Sequence, residues 1–213
     1  MVHFLFEGKL IKQGFSPVVG IDEAGRGTLA GPVFAAAVIL PQKFRIDGLD
    51  DSKKLSPFKR EKLYKIIKDQ ALCFAVSYVG EKQIDKINIL NASLLAMKKA
   101  LLKLSVSPKF VLVDGNKKIP GIEIPQRCVI GGDGISASIA AASVLAKVER
   151  DNSIKKLHKQ HGFFGSGYPT DEITIRFLKD WIKRNKEFPS FVRKSWFTAQ
   201  WIKEEKEQLN MKA

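Results

Sequence analysis

Val18-Val19-Gly20-Ile21-Asp22-Glu23-Ala24-Gly25-Arg26-Gly27 runs an apolar stretch straight into two adjacent carboxylates and then a flexible basic turn. The chain becomes apolar again only at residues 33–40. Two acids at the mouth of an otherwise buried strand cost desolvation energy unless a cation or a hydrogen-bond network meets them. A glycine-arginine-glycine turn beside them has little use in packing and much in approaching a polyanion. The pairing points to a metal-dependent site working on nucleic acid.

Working outward, residues 18–21 read as a strand and residues 33–40 as a second strand paired to it. A polar loop, residues 41–54, ends in Asp50-Asp51-Ser52-Lys53-Lys54. Ser56 and Pro57 form an N-cap and first-turn pair, opening a helix with Leu63, Ile66 and Ile67 on one face. Residues 72–79 read as a strand. Leu90, Leu94, Met97, Leu101 and Leu104 then recur at helical spacing and stop before Pro108. Residues 110–113 form a short apolar strand that finishes at Asp114-Gly115-Asn116, and Cys128-Val129-Ile130 leads into Gly131-Gly132-Asp133-Gly134. Residues 136–150, rich in Ala and Ser, predict a helix lying close across the core. Another helix is expected over 171–184, then a basic aromatic tail ending in a charged helix near 201–209. Alternating strands and helices argue for one α/β domain over residues 1–213, with roughly 185–213 as a helical C-terminal extension.

Asp22, Glu23, Asp114 and Asp133 all stand where strands stop or helices begin, the edge at which α/β sheets carry their chemistry. Mg²⁺ or Mn²⁺ wants hard oxygen ligands, and a two-metal phosphodiesterase needs carboxylates that bridge ions about 4 Å apart. Neighbours on a strand point to opposite faces, so Asp22 and Glu23 reach one site only if the ladder ends there. Each acid alone reads as well as a turn former or cap; together, in so basic a chain, they favour the functional reading. Asp151, beside Glu149-Arg150, reads as a cap or surface partner.

Gly25 and Gly27 leave the backbone of the turn free to come near a ribose and its phosphate, with Arg26 supplying charge. Lys53 and Lys54 suit phosphate contact or a solvated loop. Tyr168, in Gly165-Ser166-Gly167-Tyr168-Pro169, is suited to stacking on a sugar or base. His158 and His161 read as solvated helix residues. Arg193, Lys194 and Trp196 either extend a nucleic-acid surface or, for Trp196, anchor the tail.

The bulk numbers agree. The 36 Lys and Arg against 22 Asp and Glu leave a net charge of +14, which attracts phosphate backbones or anionic membranes. Cys73 and Cys128 form no C-x-x-C pair, so neither a zinc site nor a disulfide framework is indicated. The N-terminus is too early acidic for a signal peptide and no apolar run is long enough for a bilayer. A cytoplasmic monomer is expected.

The same segments, with Leu29-Ala30-Gly31-Pro32-Val33, Asp50–Ser56 and residues 138–151, resemble the bacterial ribonuclease HII family, the type 2 ribonucleases H. The resemblance covers most of the chain in order. It implies a ribonuclease H-like mixed sheet flanked by helices, with extra C-terminal helices. It also implies cleavage of the RNA strand of RNA–DNA hybrids and incision 5′ of single ribonucleotides in duplex DNA, a step of DNA repair. The family's four acids map onto Asp22, Glu23, Asp114 and Asp133, its ribose-reading turn onto Gly25, Arg26 and Gly27, and its stacking tyrosine onto Tyr168. Three positions depart from the family pattern: Thr28 stands for a usual proline, Gly132 for a common lysine, and Ile173 for a common histidine. A junction resolvase of the same superfamily and a non-enzymatic binding module are the competing readings.

Overall fold

Strand alternation sorts the sheet's apolar residues into two cores. The computed structural model describes residues 4–42 and 47–197. Its strands are β1 (Val18–Ala24), β2 (Val33–Ile39), β3 (Cys73–Val79), β4 (Phe110–Asp114) and β5 (Gln126–Val129), in one sheet of order β3-β2-β1-β4-β5. β2 runs antiparallel to β1 and β3, whereas β1, β4 and β5 are mutually parallel. The sheet is therefore mixed, as expected.

On one face, Val19, Ile21, Val111 and Val113 pack with Ala92, Ala96, Met97 and Ala100 of α3 (Glu81–Leu102). On the other, Ala36 and Val38 pack beneath Ala140, Ala141, Val144 and Leu145 of α4 (Ala137–His161), with Leu63 and Ile67 of α2 (Pro57–Gln70) behind. The alanines of α4 let it lie very close to β1. A Cβ on Gly20 would sit 2.3 Å from the Ser138 carbonyl carbon and 2.4 Å from the Ile139 nitrogen. The small-residue reading of this helix holds, although α4 runs on to His161 rather than stopping at 150.

α1 (Leu5–Lys12) and β5 lie outside the sequence expectations, and α3 departs from them in its start and its break. α1 sends Glu7 into the interior, where its Oε1 accepts from Ser136 Oγ (2.6 Å), Ser138 N (2.8 Å) and Ser138 Oγ (2.6 Å). A carboxylate at the start of a long helix meets the unpaired N–H groups and the positive end of its dipole. α3 begins at Glu81, well before the periodic leucines, and is broken at Asn88 (φ +63°), whose side chain accepts from Asn91 N and restarts the helix. The leucine periodicity from Leu90 to Leu101 belongs to the second piece, and Leu104 lies just past its end.

α5 (Glu172–Asn185) follows the expected helix to within a residue and is capped by Asp171. Beyond it the chain returns to pair Val192 with Ala30. The charged helix expected near 201–209 lies outside the described residues.

Candidate active site

The three parallel strands bring their carboxyl ends to one edge of the sheet, and the acids sit there. Ile21 pairs with Val113 in the β1–β4 ladder, so Asp22 and Asp114 come next on neighbouring strands. Asp22 alternates with Gly20, which faces α4, and Asp114 alternates with Leu112, which packs on Ile139 of α4. Both carboxylates thus emerge on the α4 face. Asp133 joins them from a single 3-10 turn, Gly132–Gly134, placed between β5 and α4. One carboxylate oxygen from each of Asp22, Asp114 and Asp133 lies within 4.8 Å of the others.

Glu23 is held differently. The β1–β4 ladder ends at Ile21, but the β1–β2 ladder continues to Ala24 opposite Phe34. Glu23 is not among the three acids whose oxygens meet: its Oε1 accepts from Arg26 Nη1 in an ion pair at 3.1 Å, although its charge still acts on Asp22. Asp22 Oδ1 instead accepts the Glu23 N–H at 2.7 Å.

Like charges crowded into a dry edge are costly to ionise. Burial, followed by the charges of Glu23, Asp114 and Asp133, holds the Asp22 carboxyl well above the usual carboxylate range, with the Glu23 N–H opposing. Asp133 is raised by burial, Asp114 and Asp51, against Lys53. Glu23 is raised by burial and relieved in part by Arg26. An all-oxygen cluster that is unfavourable as three anions is what a hard divalent cation would stabilise.

Basic and aromatic groups ring the cluster. Lys53 Nζ lies 3.4 Å from Asp133 Oδ2, with its side chain 77% exposed. Its loop is docked on α4 through Ser52, whose Oγ accepts from Ser143 Oγ at 2.6 Å, and on α2 through Arg60 Nη1, which donates to the Ser52 carbonyl. The Tyr168 ring lies over the Arg150 guanidinium, 5.1 Å to the centroid. A Cβ on Gly27 would lie 3.8 Å from Tyr168 Cε1, so the tyrosine flanks the glycine-arginine-glycine turn.

Two departures from the family pattern have physical reasons here. Gly132 N donates to Asp114 Oδ1 at 2.8 Å, and a Cβ there would meet Ile139 Cδ1 at 2.6 Å. No lysine fits that position without repacking. Thr28 is fully buried and its Oγ donates to the Gly25 carbonyl at 3.1 Å, a bond no proline makes. Ile173 is simply half exposed on α5.

Other expectations are corrected. Arg193 is no surface contact: it is fully buried, and its Nε, Nη1 and Nη2 donate to the carbonyls of Gly31 (2.9 Å), Arg26 (2.9 Å) and Gly25 (2.7 Å). Burial draws its pKa down to about 10, with Glu81 and Asp85 opposing. His158 and His161 are helical but not solvated. His158 Nε2 lies 2.8 Å from the Gly165 carbonyl with its ring against Phe163 and Phe164, and His161 packs on Phe191. Phe163 and Phe164 lie close by in sequence, but Phe191 arrives from beyond α5, which local spacing does not reveal. Asp151 lies within α4 and pairs with Lys147 (2.8 Å) and Arg150 (3.0 Å), as a surface partner does. Ser52, Ser143 and Arg150 also support the site; each lies in a segment that carries the family resemblance, but no local pattern gives it a role. Among the described residues no helix is long and apolar enough to cross a membrane.

A mixed sheet with carboxylates at the ends of its parallel strands defines a ribonuclease H-like class. The ribonuclease H2 of Pyrococcus horikoshii OT3 matches at a TM-score of 0.77 and 31% identity, over 91% of this chain and 98% of its own. Bst-RNase HIII, crystallised in complex with Mn²⁺, shares the fold at a TM-score of 0.76 and 19% identity, over 92% of this chain and 70% of its own. Residues 19–199 match the family described as Ribonuclease HII. The Ribonuclease HII of Endomicrobium trichonymphae is 53% identical over 158 residues, 74% of this chain and 75% of that one. Further relatives of that description align over 65% and 84% of their own length. The chain belongs to the ribonuclease HII family and is a nuclease.

Proposed function

We propose that this nuclease hydrolyses the RNA strand of RNA–DNA hybrids and also incises 5′ of single ribonucleotides embedded in duplex DNA, leaving 3′-hydroxyl and 5′-phosphate ends. The observation that carries the reading is the convergence of Asp22, Asp114 and Asp133 oxygens within 4.8 Å beside the turn at residues 25–27. Those acids would hold Mg²⁺ or Mn²⁺, with Glu23 as the fourth member of the set. When bound, such ions lower the pKa of a coordinated water and support charge on the leaving oxygen of an in-line displacement.

The chain's own groups do the rest. Lys53, exposed beside Asp133, contacts the phosphate backbone. Gly25, Arg26 and Gly27 check for the 2′-hydroxyl, the group that separates RNA from DNA. Tyr168, backed by Arg150, stacks on the sugar next to the scissile bond and reads the RNA-to-DNA junction. The enzyme acts as a cytoplasmic monomer in ribonucleotide removal.

The test compares a duplex carrying one ribonucleotide, a long hybrid and a four-way junction, each with Mg²⁺ and with Mn²⁺. Cleavage of the first two and not the junction is expected. Asp114→Asn should lower turnover by about a thousandfold or more while leaving hybrid binding and folding largely intact. Metal-independent turnover, or an active Asp114→Asn variant, overturns the assignment.

A further inference from the structure

A turn with glycine on both sides of one arginine has little of its own to hold a shape, and Gly25 already sits at φ +95°. A detector for a single hydroxyl nevertheless needs donors fixed to a few tenths of an ångström. Here the stiffening comes from the far end of the chain. Arg193 Nη2 takes the Gly25 carbonyl at 2.7 Å and Nη1 the Arg26 carbonyl at 2.9 Å, while Nε takes Gly31 at 2.9 Å. Thr28 Oγ adds a second bond to the Gly25 carbonyl. Arg193 is itself fastened by its own N–H, which donates to the Leu29 carbonyl at 2.8 Å; Asp85 holds only the two residues after it, accepting from Lys194 N, Ser195 N and Ser195 Oγ.

In a planar trans peptide the carbonyl and the following N–H point opposite ways. Drawing the Gly25 and Arg26 carbonyls onto a buried guanidinium therefore turns the Arg26 and Gly27 N–H groups outward. Among the described residues neither N–H has an acceptor. The guanidinium spreads its donors over three nitrogens and so reaches three separated carbonyls, whereas an ammonium holds its three donors on one atom. The bonds are charge-assisted, which offsets the burial of the charge.

We propose that Arg193 is a positioning residue for the ribonucleotide check, setting the two outward N–H groups of the turn so that they meet the 2′-hydroxyl. The inference rests on the ribonuclease reading above and names the group that makes its selectivity possible.

Two DNA duplexes of one sequence, differing by a single ribonucleotide, are titrated in Ca²⁺ by fluorescence anisotropy against wild type, Arg193→Lys, Thr28→Val and Asp85→Ala. Wild type should prefer the ribonucleotide duplex. Arg193→Lys should lose about tenfold of that preference, the scale of a hydrogen bond or two, with affinity for the all-DNA duplex nearly unchanged. Thr28→Val, which keeps the fork and removes only the second bond to Gly25, should lose about threefold and carries the test should Arg193→Lys not fold. Asp85→Ala should lower the melting temperature yet keep the preference. Equal weakening on both duplexes in Arg193→Lys, an unchanged preference in the two turn variants, or a lost preference in Asp85→Ala overturns the proposal. No preference in wild type would instead strike the ribonuclease reading itself.

Discussion

Asp22 shows what the site costs the fold. Its carboxyl is buried and surrounded by Glu23, Asp114 and Asp133, so its folded pKa lies well above the ordinary 3.8. A group raised in the folded state stabilises while protonated, and that contribution is lost as pH climbs from about 3.8 through the folded value. Metal-free protein should therefore weaken as pH rises from 5 to 8. Asp22→Asn keeps an oxygen for the Glu23 N–H and removes the charge. In EDTA at pH 8 it should be more stable than wild type by about 0.5–2 kcal/mol, with the gap narrowing at pH 5. Thermal unfolding at the two values checks this, and a variant less stable at both contradicts it. At this scale much of the site was readable: carboxylates following apolar runs are conspicuous because burial of charge is costly. Arg193 was misread, since a basic residue in a basic tail looks the same whether it faces solvent or caps carbonyls from residues 25–31.

The element that fixes the geometry is α4, which presses its first turn onto β1 and carries the Asp133 turn at its head. Gly20 is the contact point. A Cβ there would approach the Ser138 and Ile139 backbone at 2.3 and 2.4 Å, and backbone cannot rotate away. Gly20→Ala should cost about 3 kcal/mol, the upper range of overpacking, and reduce turnover beyond what unfolding explains by shifting Asp133 against Asp22. Chemical denaturation with a parallel activity measurement tests it; a change under about 0.5 kcal/mol would show that the helix has room to move. Four of the five strands and the central helices were legible from period and caps, because Ser56-Pro57 and the leucines of α3 obey local rules; β5, four residues in a Gly- and Pro-rich stretch, was not. α1 was not, since Glu7 is buried only because α4's serines meet it. The break at Asn88 was also hidden, because a single residue at positive φ leaves the leucine spacing intact.

Across the whole molecule, the topology does what no local segment can. Parallel pairing of β1, β4 and β5 brings acids at positions 22, 114 and 133 to one edge. The chain as a whole carries a net charge of +14, which favours a polyanionic substrate while the acids at this edge are left to be neutralised by a cation. An α/β domain was inferable from alternation and its mixed sheet from the family resemblance, but the register that sets Asp22 beside Asp114, and pairs Glu23 with Arg26, emerges only from the assembled ladder. The decisive measurement is an anomalous difference map from crystals soaked in Mn²⁺. It should show density bounded by the Asp22, Asp114 and Asp133 carboxylates and lost in Asp114→Asn; a map without density there, from a soak that supports cleavage in solution, would contradict the account.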